Sequence, residues 1–262
     1  MTLLKLWIAL IGGSIVASAS PELLLNFEND TLENFISNRS QILWDSLSQS
    51  QILRLRYPVG CVGTSRAKGC AIQIRKQLPD PGDVMWVSYD VFVESGFDFA
   101  RGGKLPGLCG GKCYTGGHRP TIGDGWSARI MWRENGALEQ YVYYADQSGK
   151  YGDRFKWNLS GTIPQKKITP NQWNKLVTKV TLNSVSAESH GEKNGRIQSW
   201  FNGELVLDID TLRLRSFSSQ QIDQLYISTF HGGHTPSWGP SVESFIRFDN
   251  FLVSRDSISL SK

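Results

Sequence analysis

Apolar and polar residues alternate with a period of two along most of this chain, and that pattern predicts strands. In "VMWVSYDVFVE" (Val84 to Glu94), Met85, Val87, Tyr89, Val91 and Val93 share one side, while Ser88, Asp90 and Glu94 share the other. "NKLVTKVTL", "GRIQSWFNGELVLDI", "DQLYISTF" and "SFIRFDNFLVS" also read as strands, and Asn202-Gly203 predicts a two-residue hairpin turn. Residues 20 to 52 look partly helical or irregular, with "QILWDSLSQSQI" the most helix-like piece. From Leu53 onward the pattern is strand, turn, strand. Short strands rich in β-branched and aromatic residues, with little helix, predict an all-β sandwich or jelly roll.

The pattern is sharpest in "WSARIMWRENGALEQYVYY", Trp126 to Tyr144. Trp126, Ala128, Ile130 and Trp132 form an apolar side, so they predict core. Ser127, Arg129, Met131 and Arg133 fall opposite. The turn decides what Ser127 and Arg129 face. A two-residue turn at Asn135-Gly136 would set Arg129 against Val142. A three-residue loop, Glu134 to Gly136 with a left-handed Gly136 in a bulge, sets Arg129 against Tyr141 and Ser127 against Tyr143. Only the second keeps the tryptophans and Val142 on one buried face, so the patterning favours it.

Composition narrows the class. The chain has 262 residues, 40% apolar and 20% charged, which describes a globular protein of one large domain or two small ones. A net charge of +4, without a Lys/Arg-rich run, gives no footprint for nucleic acid. "MTLLKLWIALIGGSIVASAS" has one lysine, a short apolar run and Ala17-Ser18-Ala19. It reads as a secretory signal peptide over residues 1–19, leaving residues 20–262 as a single secreted or periplasmic domain with no membrane partner. An exported chain with four cysteines predicts disulfides, and the local pairs Cys61–Cys70 and Cys109–Cys113 are favoured. The rival is a metal site in "CGGKCYTGGH" using His118, which lacks an evident fourth ligand; no metal or cofactor is expected. The nine tryptophans serve either as core or as sugar-stacking platforms.

Lys104 lies in "GGKLPGL", between Gly102-Gly103 and Pro106-Gly107, residues that hold a bent or closely approached backbone. Together with "WSARIMWR", "YVYY", "YGDRFKW" and "FHGGHTPSWGPSVESFIRFDNFLVS", this motif resembles polysaccharide lyase family 14. The family holds alginate lyases and related glucuronate-cleaving enzymes, and the resemblance runs from about Leu53 to Ser254. It implies a jelly roll of two antiparallel sheets with a concave substrate cleft. It also implies functional roles for Lys104, Ser127, Arg129, Tyr141 and Tyr143. The departure lies after Lys104, where Cys109 and then Cys113 replace an aromatic that usually precedes the glycine pair.

The residues suit elimination from a uronate. Lys104 and Arg129 would neutralise the carboxylate, and Tyr141 and Tyr143 would act as base and acid, their high phenolic pKa lowered by the cations. His118, Arg54 and Arg56 are further substrate-binding candidates, although a solvated face suits the two arginines equally. His231 and His234 read as exposed imidazoles in a loop. The expected partner is an anionic polysaccharide, and the expected state is a monomer. The competing readings are a non-catalytic carbohydrate-binding module and a glycoside hydrolase. The hydrolase needs two carboxylates across the bond, and no E-x-D-x-x-E strand appears.

Overall fold

The computed structural model describes residues 23–28, 39–63, 70, 72–186 and 190–260. The expected signal peptide lies outside them. In chain order the strands are β1 (Leu23–Leu25), β2 (Ser40–Asp45), β3 (Ser50–Tyr57), β4 (Ile72–Gly82), β5 (Val84–Val93), β6 (Gly103–Gly111) and β7 (Gly125–Trp132). They continue with β8 (Leu138–Tyr143), β9 (Asp153–Lys156), β10 (Trp173–Thr181), β11 (Gly195–Phe201), β12 (Glu204–Leu212), β13 (Ile222–His231) and β14 (Ser244–Ser254). Helical structure among the described residues is limited to three short 3-10 turns, and no helix there is long and apolar enough to cross a membrane.

The strands form two antiparallel sheets, the jelly-roll arrangement the sequence implied. One runs β12-β11-β10-β5-β14-β3-β2, with β1 also on β14; the other runs β4-β13-β6-β7-β8-β9. Alternation explains what lies between them. Trp126, Ala128, Ile130 and Trp132 of β7 and Val142 of β8 join Met85, Val87, Tyr89, Val91 and Val93 of β5 in one cluster. Side chains of this size each contribute about 1.5–3 kcal/mol by leaving water. Gln140 is the polar exception on β8's inner side. It receives the Ser199 hydroxyl from the facing sheet at 3.1 Å and donates to the Arg129 carbonyl oxygen, so its burial is compensated. Asn202 and Gly203, both left-handed, make the two-residue turn between β11 and β12.

The helix-like piece is instead a hairpin, with β2 paired to β3 from Ser40–Leu55 to Asp45–Ser50. The Asp45 carboxylate accepts both the N–H and the hydroxyl of Ser48 at 2.9 Å, and Gln49 turns left-handed. That local bonding competes with helix in a segment spaced well enough for either. Both local disulfides are present, Cys61–Cys70 and Cys109–Cys113. The second occupies both sulfurs that a metal site with His118 would need.

Candidate active site

The hairpin of β7 and β8 has the three-residue loop. Glu134–Gly136 make a 3-10 turn in which Asn135 and Gly136 are both left-handed, at φ 57° and 75°. Arg129 therefore pairs with Tyr141 and Ser127 with Tyr143. Directly opposed residues point the same way, so all four leave the sheet on the side away from the core.

Lys104 reaches that side through a second one-residue irregularity. On β6, Lys104 is opposite Met131 and Gly107 is opposite Arg129, a step of three residues against two. Pro106 is the extra residue. On a regular strand Lys104 and Gly107, three residues apart, would point to opposite faces; the bulge at Pro106 keeps both on one face. Proline has no N–H to lose from the ladder, and the carbonyl it presents accepts the Tyr89 hydroxyl from the facing sheet at 3.1 Å. Gly107 is equally constrained, because a Cβ there would lie 2.0 Å from the Ala128 carbonyl oxygen.

These side chains meet in a cleft of about 1090 Å³ over the six-stranded sheet. Lys104, Arg129, Tyr141, Tyr143 and His118 all line it. The Lys104 amine is 2.9 Å from the Met131 sulfur and 4.1 Å from the centre of the Tyr141 ring. Arg129 is 2% exposed and donates to the Ser228 hydroxyl at 3.1 Å. Its guanidinium lies 5.1 Å from the Tyr226 ring and 5.9 Å from the Tyr141 ring. The Arg129 Nε has no hydrogen-bond partner among the described residues. The Tyr141 and Tyr143 hydroxyls are 3.3 Å apart, and the Gly117 N–H donates to the Tyr143 oxygen at 3.0 Å.

Burial governs the protonation of this cluster. It pushes the Lys104 amine well below its ordinary value, reinforced by Arg129 and Arg133 and opposed by Glu139. It also lowers Arg129, which its phenolic neighbours oppose. The expected lowering of the tyrosines is reversed at Tyr141. Burial first, then the hydrogen bond with Tyr143, raise it further than Arg129 pulls it down.

Other candidates sit elsewhere. Ser127 is fully buried, and its hydroxyl donates to the Tyr114 carbonyl oxygen at 2.7 Å, so it ties down the loop above the tyrosines. Arg54 and Arg56 lie on β3 of the other sheet, paired with Glu94 and Glu243. Their alternation was legible, but the sheet they belong to was not. His231 is fully buried at the end of β13, among the rings of Tyr57, Phe97 and Trp132, with its Nε2 2.7 Å from the Asp98 carbonyl oxygen. That corrects its reading as exposed. Its strand alternates Tyr226, Ser228 and Phe230 outward, which turns His231 inward. His234 does line the cleft. Sequence reasoning missed Arg154, Tyr226 and Trp238, which also line it. The alternation in "DQLYISTF" held the signal for Tyr226.

The family model Polysaccharide lyase 14 matches residues 45–251. The chain belongs to this family. It is therefore a polysaccharide lyase, which sets aside the binding-module and hydrolase readings. Among solved structures, this lyase is similar to a mutant of alginate lyase Aly36B in complex with alginate tetrasaccharide, at 24% identity and a TM-score of 0.69, covering 92% of this chain and 100% of that one. It is similar to the marine PL-14 alginate lyase from Aplysia kurodai, at 23% identity and a TM-score of 0.68, covering 90% and 99%. It is also similar to the endo-beta-1,4-glucuronan lyase from the fungus Trichoderma reesei, at 11% identity and a TM-score of 0.51, covering 90% and 95%. At these identities the likenesses show a shared fold. No curated protein matches the chain.

Proposed function

We propose that this protein is an exported lyase that cuts an anionic uronate polymer, of the alginate or glucuronan type, by β-elimination. One observation carries the reading. Among the described residues Arg129 is buried without a carboxylate and has an unpartnered Nε, and it lies opposite Tyr141, whose hydroxyl is hydrogen-bonded to that of Tyr143. A buried cation in that state is completed by an anion, and a guanidinium fits a carboxylate through two parallel hydrogen bonds.

Elimination removes the proton from the carbon bearing the carboxylate. The freed electron pair forms a carbon–carbon double bond, and the bond to the neighbouring glycosidic oxygen breaks. That oxygen leaves with its electron pair and takes up a proton. Negative charge builds on the carboxylate as the first proton departs, so Arg129 acts where charge develops. Tyr141, held protonated by burial and Tyr143, donates its proton to the leaving oxygen. Tyr143, acting as the phenolate, accepts the carbon-bound proton, with the Gly117 N–H and the Tyr141 hydroxyl positioned to hold its oxygen. Lys104 adds a second cation once the substrate's charge restores its proton.

The Lys104 environment favours a second reading, in which the neutral amine is the base. Its hydrogen-bond acceptor is the Met131 thioether, and burial with two nearby arginines disfavours its charge. The two readings have opposite signs. If Lys104 must be charged, kcat/KM falls as pH rises through its lowered pKa; if it is the base, kcat/KM rises there. Lys104→Arg, charged at every working pH, should retain much of the activity in the first case and lose about 10²–10⁴-fold in the second. For the reaction itself, purified protein is incubated with polymannuronate, polyguluronate and glucuronan. New ultraviolet absorbance from an unsaturated uronate supports elimination, whereas reducing ends without it would overturn the proposal. The two disulfides support work outside the cytoplasm, where such bonds persist.

A further inference from the structure

The arginines of this protein divide by whether a carboxylate answers them. Arg54 and Arg247 share Glu94, Arg196 holds Asp208, and Arg215 holds Asp83. Among the described residues Arg75, Arg129 and Arg154 of the six-stranded sheet have no such partner, nor do Arg101 and Arg119 in the loops, which bond to Ser237 and to the Gln147 carbonyl oxygen. Among the described residues Arg75 donates one hydrogen bond, to the Cys113 carbonyl oxygen at 3.3 Å.

Strand pairing places the three sheet arginines in one line. Arg75 is opposite Tyr226, which is opposite Gly107, which is opposite Arg129. Arg129 is opposite Tyr141, and Tyr141 is opposite Arg154. Opposed residues share a face, so the row crosses all six strands on the side that carries the cleft. Arg75 and Arg129 each lie 5.1 Å from the Tyr226 ring. Both outer arginines are exposed, and both act on the centre: Arg75 disfavours the charge on Arg129, and Arg154 that on Lys104. Like charges set in register without counterions destabilise a sheet. An extended polyanion laid along the row reverses that sign.

We propose that this row is the track of the polymer. It rests on the lyase reading above and extends it to the substrate's path. The chain crosses the strands, the uronate to be cut sits on Arg129, and Arg154 and Arg75 bind carboxylates of sugars on opposite sides of it. From β7, β9 is two strand spacings away and β4 is three, or about 10 and 14 Å. Each gap exceeds one sugar ring, so neither outer arginine serves the sugar held at Arg129. Subsites on both flanks fit cleavage within the chain.

The test compares Arg75→Gln and Arg154→Gln with the wild type on whichever of alginate or glucuronan it cuts, as polymer and as size-fractionated oligosaccharides. Each variant should raise KM for the polymer about tenfold with kcat within about twofold, and the two together should raise it further. The penalty should shrink in high salt, disappear on oligosaccharides too short to reach the altered arginine, and be largely rescued by lysine. Wild-type digestion should lower polymer viscosity early. Unchanged KM in both variants, a penalty independent of chain length, or release of monomers alone with slow loss of viscosity would each overturn the track. If the wild type forms no unsaturated product from any uronate polymer, the lyase reading itself fails, an outcome distinguishable from these.

Discussion

Each sheet carries a cross-strand row of arginines on its outer side, and the two rows are built to opposite ends. On the eight-stranded sheet Arg54 is directly opposite Arg247, which is opposite Phe92. Glu94 accepts from both arginines at 2.7 Å, and Asp45 accepts from Arg247 and Ser48. Arg54 also lies 3.7 Å from the Phe245 ring. On the six-stranded sheet the row through Arg129 has phenols and a glycine between its cations, which pair with no carboxylate among the described residues. The first row is complete in itself and serves stability. The second is incomplete, and under the proposed track the missing charges are those of a substrate.

The largest expected effect breaks this contrast by exchanging one arginine from each row. Arg129→Gln should lower kcat/KM about 10²–10³-fold, the usual cost of removing a donor from a site of developing charge, with the melting temperature nearly unchanged. Arg54→Gln should leave kcat/KM at the wild-type value. A comparable catalytic loss from both would mean that the rows do not differ in purpose.

Next comes Glu94→Gln, which leaves Arg54 and Arg247 opposed without their shared anion. A loss of about 1–3 kcal/mol is expected, read as a lower urea midpoint at unchanged KM. The sign with pH follows. Burial pushes Glu94 up, but its hydrogen bonds and charge pairs with Arg54 and Arg247 prevail and hold it below the ordinary carboxylate value. Its contribution is present above the unfolded pKa and lost as pH falls through the folded one, so the variant should lack that part of the acid slope.

The smallest effect concerns the interior between the rows, where no charge is tolerated. Burial lowers His231 from 6.5 in its aromatic enclosure, outweighing the hydrogen bond with Asp98. The unfolded chain then binds a proton that the folded one refuses, so stability falls as pH drops below about 6.5. His231→Phe should show a shallower slope there. An identical slope would refute neutral burial.

The sequence made the fold legible where alternation was strict. Val84 to Val93 and Trp126 to Trp132 could be assigned inner and outer faces, and the Glu134–Gly136 loop followed from keeping those faces consistent. Spacing misled at Gln41 to Ile52, where a few side-chain bonds from Asp45 decide between helix and hairpin. The five family positions led to the cleft, but their states did not follow. Whether burial or Arg129 wins at Tyr141 depends on surfaces contributed by distant segments. Arg54 and Arg154 look alike in sequence, each alternating on a strand, and only the topology puts them on different sheets. Nor did the sequence show that the Ser127 hydroxyl is bonded to the Tyr114 carbonyl oxygen, because that contact depends on Tyr114 returning over β7 just after the loop closed by Cys109 and Cys113.

The two one-residue irregularities, at Pro106 and in the Glu134–Gly136 loop, make the site a matter of register. A pairing slipped by one residue at either place would not degrade the cleft by degrees. It would turn a functional side chain into the core and bring an apolar one out, as a frameshift changes every word after it. What homologous or engineered chains must keep at these two places is therefore the pairing and not the length: a residue gained or lost is harmless where the bulge or the loop absorbs it, and ruinous where the ladder does.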